Sequence, residues 1–264
     1  MILGLNNKNA LVCGSTQGIG KATAIALAEE GVNVTLIARN EEKLKLVLEE
    51  LNNCQFERSR EQQHSYIVAD FSNPDGLKEI LEEANTSFHI LVNNTGGPAG
   101  GPVFNAHLDE FDSAFTQHLK CNHVLVQALV PFMKEVGYGR IINVISTSVK
   151  QPLDGLGVSN TIRGAVANWS KTLANELGQF GITVNNVLPG ATETERLNEI
   201  LKNKSNKTGK SIEEVAQGMR NASPAKRFAK PEETAAAITF LASEKASYIN
   251  GINLPVDGGR TKSL

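Results

Sequence analysis

The sequence predicts a single α/β domain in which a seven-stranded parallel sheet carries helices on both faces. Short apolar runs rich in β-branched residues alternate with longer segments of helical period. A helix between two successive strands is the connection that makes those strands parallel. No internal repeat or Pro- and Ser-rich linker divides the 264 residues, so we expect one doubly wound domain over residues 1–264.

The seven strand candidates are each too short for an independent helix. They are residues 10–13, 32–38, 65–69, 90–92, 141–145, 182–188 and 252–254. Two intervening helices are the clearest. Residues 19–30 form one apolar stripe that stops at Gly31, and residues 156–178 show similar spacing.

Two segments read as irregular. Residues 96–102 have the sequence GGPAGGP, which predicts a loop. Residues 201–210 are polar and basic, and we expect them to be mobile. Both follow strands at the edge where parallel sheets bind ligands, so residues 192–222 are predicted to form a mobile substrate lid. A plain solvated loop is equally consistent with their composition.

Composition excludes several classes of partner. Apolar residues make up 41% and charged residues 20%, and the formal net charge is −2. The chain therefore lacks the excess positive charge that would neutralise the phosphate backbone of a nucleic acid. The three cysteines, Cys13, Cys54 and Cys121, lack paired spacing and are typical of reduced cytoplasmic thiols. The sequence has no long apolar run and no leader pattern, so we expect a cytoplasmic protein without membrane contact. We expect no metal.

A glycine-rich turn follows the first strand and leads directly into a helix. It has the sequence Gly14-Ser15-Thr16-Gln17-Gly18-Ile19-Gly20. Glycines let the backbone approach a pyrophosphate, and the helix N-terminus supplies N–H groups to the anion. We predict that a dinucleotide contacts Gly14, Ser15, Gln17, Gly18, Ile19 and Gly20. The alternative is a purely structural turn.

The end of the second strand distinguishes the two nicotinamide dinucleotides. An acidic residue there favours NAD, because it binds the ribose 2′-hydroxyl and repels a 2′-phosphate. This sequence has Arg39 at that position, and its guanidinium can bind a phosphate with two parallel hydrogen bonds. We therefore predict NADP(H) over NAD(H). The alternative is that Arg39 is only a surface charge beside a helix.

Two further strand ends carry polar groups. Asp70 precedes Phe71, and both are expected at the adenine, where Asp70 can accept a hydrogen bond from the amino group. Asp70 could equally cap the next helix. We also predict cofactor contacts at the residues that follow the fourth strand, Asn93, Asn94, Thr95 and Gly96. Their amides can bridge neighbouring strand ends, and the glycine allows close approach of the ribose.

On these residues the chain resembles the short-chain dehydrogenase/reductase family, in particular its 3-oxoacyl-[acyl-carrier-protein] reductase-like branch. Residues 13–20 are similar to the family's TGxxxGIG, and residues 93–96 to its NNAG. Residues 185–190 with Thr194 are similar to its NxxxPGxxxT, and residues 240–259 to its FLAS and VDGG ending. The similarity covers nearly the whole chain.

The resemblance implies a Rossmann-type fold, a dimer or homotetramer, and an oxidoreductase that uses NADP(H). It implies a small carbonyl or acyl-thioester substrate. It also implies that Pro189, Gly190, Thr192 and Thr194 hold the nicotinamide carboxamide.

The sequence departs from the family at the catalytic positions. The family uses serine, tyrosine, lysine and asparagine, and only the serine is matched, by Ser146. Ser159 stands at the tyrosine position and Arg163 at the lysine position, while His118 falls at the asparagine position. An insertion would instead bring Asn122 there. The tyrosines of the chain, at positions 66, 138 and 248, all lie elsewhere.

Three hypotheses follow, because a serine hydroxyl is far less acidic than tyrosine and arginine cannot relay a proton. The first is a reductase in which Ser146 binds the carbonyl oxygen, Arg163 stabilises negative charge, and His118 or a water supplies the proton. The second is an NADP(H)-binding sensor or partner subunit without turnover. The third is an enzyme whose unusual substrate carries its own acid.

Two of these residues have simpler explanations. His118 could be a surface histidine beside His123 on a helix, and Arg163 could form an ion pair within an oligomer interface. Both explanations predict that the side chain is exposed on the surface of the chain.

Overall fold

The computed structural model describes residues 2–53, 62–84 and 87–263, and its sheet confirms the predicted fold class. Seven parallel strands lie in the order β3-β2-β1-β4-β5-β6-β7, and each coincides with a predicted run. They are β1 Asn9–Cys13, β2 Asn33–Ala38, β3 Ser65–Val68, β4 Ile90–Asn93, β5 Gly139–Val144, β6 Ile182–Pro189 and β7 Asn253–Val256. Cys54 lies outside the described residues.

The helices of the described residues cover both faces of this sheet. They are α1 Gly18–Glu29, α2 Glu41–Asn53, α3 Pro74–Glu83, α4 Leu108–Phe115, α5 Cys121–Glu135, α6 Gly157–Leu177, α7 Glu195–Thr208, α8 Ile212–Asn221 and α9 Pro231–Ala242. None of them has both the length and the apolar character needed to cross a membrane.

Alternate residues of each strand pack into two separate hydrophobic cores, one on each face of the sheet. Along β1, Ala10 and Val12 pack against α1, α2 and α9 on one face, while Leu11 and Cys13 pack against α3, α5 and α6 on the other. This is the period of two that a doubly covered sheet requires. The strand ends that carry the predicted site residues are therefore held by packing on both sides.

Four asparagines form a ladder across the half of the sheet that follows β1. Asn93, Asn143, Asn186 and Asn253 occupy paired positions of β4, β5, β6 and β7. Each amide nitrogen donates to the next side-chain oxygen, at 2.8, 3.1 and 2.8 Å. Ser170 of α6 joins the ladder by donating to Asn186 at 2.8 Å. Because buried amides need partners, this chain of bonds favours one strand register.

Replacing Asn143 by alanine should lower the free energy of unfolding by about 2–3 kcal/mol, since it leaves the buried Asn93 amide without its acceptor. Urea unfolding measures this. Asn253→Ala is the matched control at the edge of the ladder, and we expect it to cost less than half as much. A change below about 0.5 kcal/mol for Asn143→Ala would show that the ladder contributes little.

The prediction that residues 201–210 are irregular is wrong. Helix α7 runs through Thr208 and ends at Gly209, which has the left-handed φ of +72°, and Ser211 then caps α8. The polar residues form the solvent face of α7, whereas Leu197 and Leu201 are buried against α8. Residues 96–102, by contrast, are the predicted loop, with a single isolated bridge from Gly101 to Leu156.

Candidate active site

The turn between β1 and α1 has room for backbone only. A Cβ atom on Gly14, whose φ is +59°, would lie 2.1 Å from the Asn94 carbonyl oxygen. A Cβ atom on Gly20 would lie 2.2 Å from the Gly14 carbonyl oxygen. Only glycine fits such contacts. The first turn of α1 contains no acidic residue, so its N–H groups are available to an anion. The turn therefore fits a pyrophosphate.

Two segments from elsewhere in the chain meet this turn. Asn94 donates from its side-chain amide to the carbonyl oxygens of Cys13 and Gly14, at 3.3 and 3.4 Å, which is the predicted bridge between strand ends. Thr194 caps α7, and its methyl carbon would lie 3.0 Å from a Cβ atom on Gly18. The side chain of Asn93 takes a different role, because its amide is committed to the asparagine ladder.

The segment around Thr194 follows β6 at the same edge of the sheet. Pro189 is the last residue of β6, and the Gly190 N–H donates to Val256 of β7 at 2.9 Å. Thr192 is buried, and its hydroxyl donates to the Gly190 carbonyl at 3.1 Å. Because the carboxyl ends of parallel strands meet at one edge of the sheet, these residues lie on the same side as the glycine turn.

Arg39 and Asp70 lie at neighbouring strand ends and are both exposed. The Ser72 N–H donates to Asp70 at 2.9 Å and lowers the pKa of its carboxyl, and the charge of Arg39 lowers it further. Helix α3 is capped by Asn73, so the alternative that Asp70 caps this helix is wrong. Phe71 is buried beside Asp70.

Lys43 is a cation that the sequence did not single out. It lies in the first turn of α2, just after Arg39, and its ammonium donates to the Gln17 side chain at 3.3 Å. This contact joins the start of α2 to the glycine turn. In the sequence, only the position of Lys43 soon after Arg39 points to this role. Lysines are so common on helix surfaces that this position alone does not distinguish Lys43 from other surface lysines.

Ser146 follows β5 and is half-buried. Its hydroxyl oxygen accepts a hydrogen bond from the Ser148 N–H at 3.1 Å. Ser159 is also half-buried and lies on α6, one helical turn before Arg163. The side chains of Ser159 and Arg163 therefore lie on the same face of this helix.

The guanidinium of Arg163 is buried within the chain, with 7% of the residue exposed. It donates to the Val144 carbonyl at 3.1 Å, just before Ser146, and no carboxylate of the described residues pairs with it. Burial lowers its pKa to about 10. Its burial inside the chain disfavours the alternative of an ion pair at an oligomer interface.

His118 is also buried, with 1% exposed, so the alternative of a surface histidine is wrong. It lies in a π-helical turn, Thr116–Lys120, between α4 and α5. Its Nδ1 lies 2.6 Å from the hydroxyl of Thr95, and its Nε2 has no hydrogen-bond partner among the described residues. Burial lowers the pKa of His118 to about 2, assisted by the positive charge of Arg163.

Asn122, the other candidate for the asparagine position, lies at the start of α5. It is buried, and its side-chain oxygen has no partner among the described residues. His118, not Asn122, is the residue whose hydrogen bond reaches the end of β4.

None of the tyrosines substitutes for the one missing at position 159. Tyr66 donates to Glu41, and Tyr138 donates to the Ala242 carbonyl at 2.7 Å. Tyr248 is fully exposed next to the C-terminal strand. No tyrosine of the chain therefore lies beside Ser146 in sequence or takes the place of Ser159.

Comparison with known proteins places this geometry in a family. The profile of the family described as Enoyl-(Acyl carrier protein) reductase matches residues 14–261. The chain belongs to this short-chain dehydrogenase/reductase family and is an oxidoreductase of that type.

Its relatives match it over nearly their full lengths. The NADPH-dependent reductase BacG of Bacillus subtilis is 30% identical over 98% of this chain and 100% of its own. The 3-oxoacyl-[acyl-carrier-protein] reductase FabG of Staphylococcus epidermidis is 32% identical over 96% and 98%. L-sorbose reductase of Gluconobacter frateurii, solved with NADPH and L-sorbose, superposes with a TM-score of 0.91 at 32% identity, over 100% of both chains.

Proposed function

We propose that this chain is an NADPH-dependent carbonyl reductase that works without a catalytic tyrosine. The observation that carries the proposal is the buried, unpaired guanidinium of Arg163 directly beside the strand end that bears Ser146. A buried cation without a counter-ion is costly, so it is an unusual group to retain unless negative charge forms next to it. Reduction of a carbonyl places negative charge on the substrate oxygen.

The residues of the chain fit the cofactor at both ends. The glycine turn would hold the pyrophosphate, and Arg39 with Lys43 would supply positive charge for a 2′-phosphate. Pro189, Gly190, Thr192 and Thr194 would hold the nicotinamide end. The relatives named NADPH-dependent or solved with NADPH support this choice of cofactor. When bound, the nicotinamide supplies the hydride.

Ser146 is suited to hold the substrate oxygen. Its oxygen accepts from the Ser148 N–H, and its hydroxyl hydrogen has no acceptor among the described residues, so that hydrogen can be donated to a substrate. Ser159, one helical turn before Arg163, adds a second hydroxyl. A serine is much smaller than a tyrosine, which leaves room at this position for a water or for part of the substrate.

Arg163 stabilises the developing charge on that oxygen. In a site from which water is excluded, a fixed cation acts through a low effective dielectric and is stronger than in solution. His118 is neutral at physiological pH, because its pKa is about 2, so it is not an imidazolium acid. We propose that a water supplies the proton to the carbonyl oxygen, while His118 contributes hydrogen bonding.

NADPH oxidation against a panel of 3-oxoacyl thioesters, quinones and small ketones tests this function. We expect turnover of at least one class, together with binding of NADPH seen as a change in cofactor fluorescence. Tight NADPH binding without turnover of any carbonyl would contradict the proposal. It would favour the second candidate, an NADPH-binding protein without turnover, which the absence of a tyrosine at position 159 supports.

Replacing Arg39 by alanine should raise the Kd for NADPH by about 10- to 100-fold, because a charge-assisted bond to the 2′-phosphate is lost. The Kd for NADH should change less than about two-fold. Titration of cofactor fluorescence measures both constants. Lys45→Ala is the matched control, since Lys45 is a cation of the same region that pairs with Glu41 at 2.9 Å. Equal weakening of NADPH and NADH would argue against a phosphate contact.

A further inference from the structure

Two of the departures from the family pattern contact each other. Thr95 stands where the family has alanine, and His118 stands where it has asparagine. The Thr95 hydroxyl and His118 Nδ1 lie 2.6 Å apart, although the residues are 23 positions apart in the chain. This contact joins the end of β4 to the π-helical turn before α5. The two substitutions therefore form one structural unit.

The far side of the imidazole carries a hydrogen-bonding group that is not satisfied within the described residues. Nε2 of His118 is fully buried and has no hydrogen-bond partner among the described residues. A buried polar atom without a partner is destabilising, so its retention calls for an explanation, such as a catalytic role or a bound water. The π-helical turn that carries the ring is a conformation found frequently at functional sites.

The tautomer of the ring follows from counting hydrogens. If Nδ1–H donated to Thr95, neither the buried Nε2 lone pair nor the threonine hydrogen would have a partner among the described residues. If the threonine hydroxyl donates to Nδ1 instead, only the Nε2–H is left without one. The second arrangement leaves fewer hydrogen-bonding groups without a partner and is therefore favoured. It leaves His118 as a neutral donor.

We infer that Thr95 is a positioning residue that holds His118 in the neutral Nε2–H tautomer, so that Nε2 donates a hydrogen bond to an oxygen atom in the active site. That oxygen belongs to the substrate or to the water that protonates it. A neutral imidazole can polarise a carbonyl without giving up its proton. The identity of the oxygen rests on the proposed function, whereas the tautomer and the role of Thr95 do not.

Nitrogen NMR of the ¹⁵N-histidine-labelled protein tests the tautomer directly, with the His118 signals assigned by their loss in His118→Asn. We expect wild type to show one neutral tautomer with hydrogen on Nε2. Thr95→Val, which keeps the shape and removes the hydroxyl, should give a mixture of tautomers, and Thr95→Ser should restore a single one. Hydrogen on Nδ1 in wild type, or an unchanged tautomer in Thr95→Val, would overturn the inference. The wild-type spectrum decides even if a variant folds poorly.

Kinetics test the consequence for the reaction. We expect Thr95→Val to lower kcat about 10-fold with little change in the Kd for NADPH, and Thr95→Ser to recover most of the loss. A Kd that rises while kcat stays constant would instead assign Thr95 to cofactor binding. If no carbonyl is turned over at all, the proposed function is wrong. The NMR experiment still tests the tautomer and the role of Thr95, because it does not depend on turnover.

Discussion

Replacing Arg163 by leucine should lower kcat/KM by about 100- to 1000-fold, which is the usual cost of removing one preorganised donor from a developing oxyanion. The Kd for NADPH should stay within about three-fold of wild type, because the cofactor residues are untouched. Steady-state kinetics and cofactor fluorescence measure the two quantities. The free energy of unfolding should stay the same or rise, since leucine removes a buried charge that has no carboxylate partner.

Two further variants make this result specific. Arg163→Lys keeps the charge but loses the planar guanidinium, and we expect intermediate activity. Lys171→Leu is the matched control, because Lys171 is an exposed cation on the same helix, and its activity should stay close to wild type. If Arg163→Leu kept more than about a third of wild-type kcat/KM, Arg163 would not provide transition-state stabilisation of the usual size.

His118 should make the protein sensitive to acid. Its pKa in the folded state is about 2, against an ordinary value of 6.5. Below pH 6.5 the His118 side chain binds a proton in the unfolded chain but not in the folded protein. The free energy of unfolding therefore falls as the pH falls from 6.5 towards 2. The loss is about 1.4 kcal/mol for each pH unit. His118→Asn lacks this loss, so its stability relative to wild type should rise by about 2–3 kcal/mol between pH 7 and pH 4.5.

Urea unfolding of both proteins across this pH range measures the effect. Burial also lowers the pKa values of His64 and His89, but both histidines are present in both proteins and cancel in the difference. The exposed His107 provides the control variant, His107→Asn, which removes a surface histidine and should retain the acid sensitivity that His118 causes. Parallel pH curves for wild type and His118→Asn would mean that the imidazole takes up its proton over the same pH range in the folded protein as in the unfolded chain.

Local patterns were sufficient to predict most of the fold. The β-branched runs around Val12, Ile37 and Val184 became strands because each alternates its side chains between two apolar cores. The glycine turn was equally predictable, since Gly14 and Gly20 exclude any Cβ atom. Such features depend on a few consecutive residues.

The features that were missed depend on residues far apart in the chain. Asn143 and Asn186 fall within apolar runs, and their pairing follows only from the register of β5 against β6. Helix α7 was mistaken for a loop because its basic residues dominate the local composition, while its stability comes from packing Leu201 against α8. The hydrogen bond of His118 likewise depends on Thr95, which lies 23 positions earlier in the loop after β4.

We propose that this chain transfers a hydride to a carbonyl without a tyrosine. NADPH carrying two deuterium atoms at C4 of the nicotinamide tests it most directly, with the alcohol product examined by mass spectrometry. We predict deuterium on the alcohol carbon with wild type and about a hundred-fold less product with Arg163→Leu. Bound NADPH that stays unoxidised in the presence of every carbonyl class would contradict the claim.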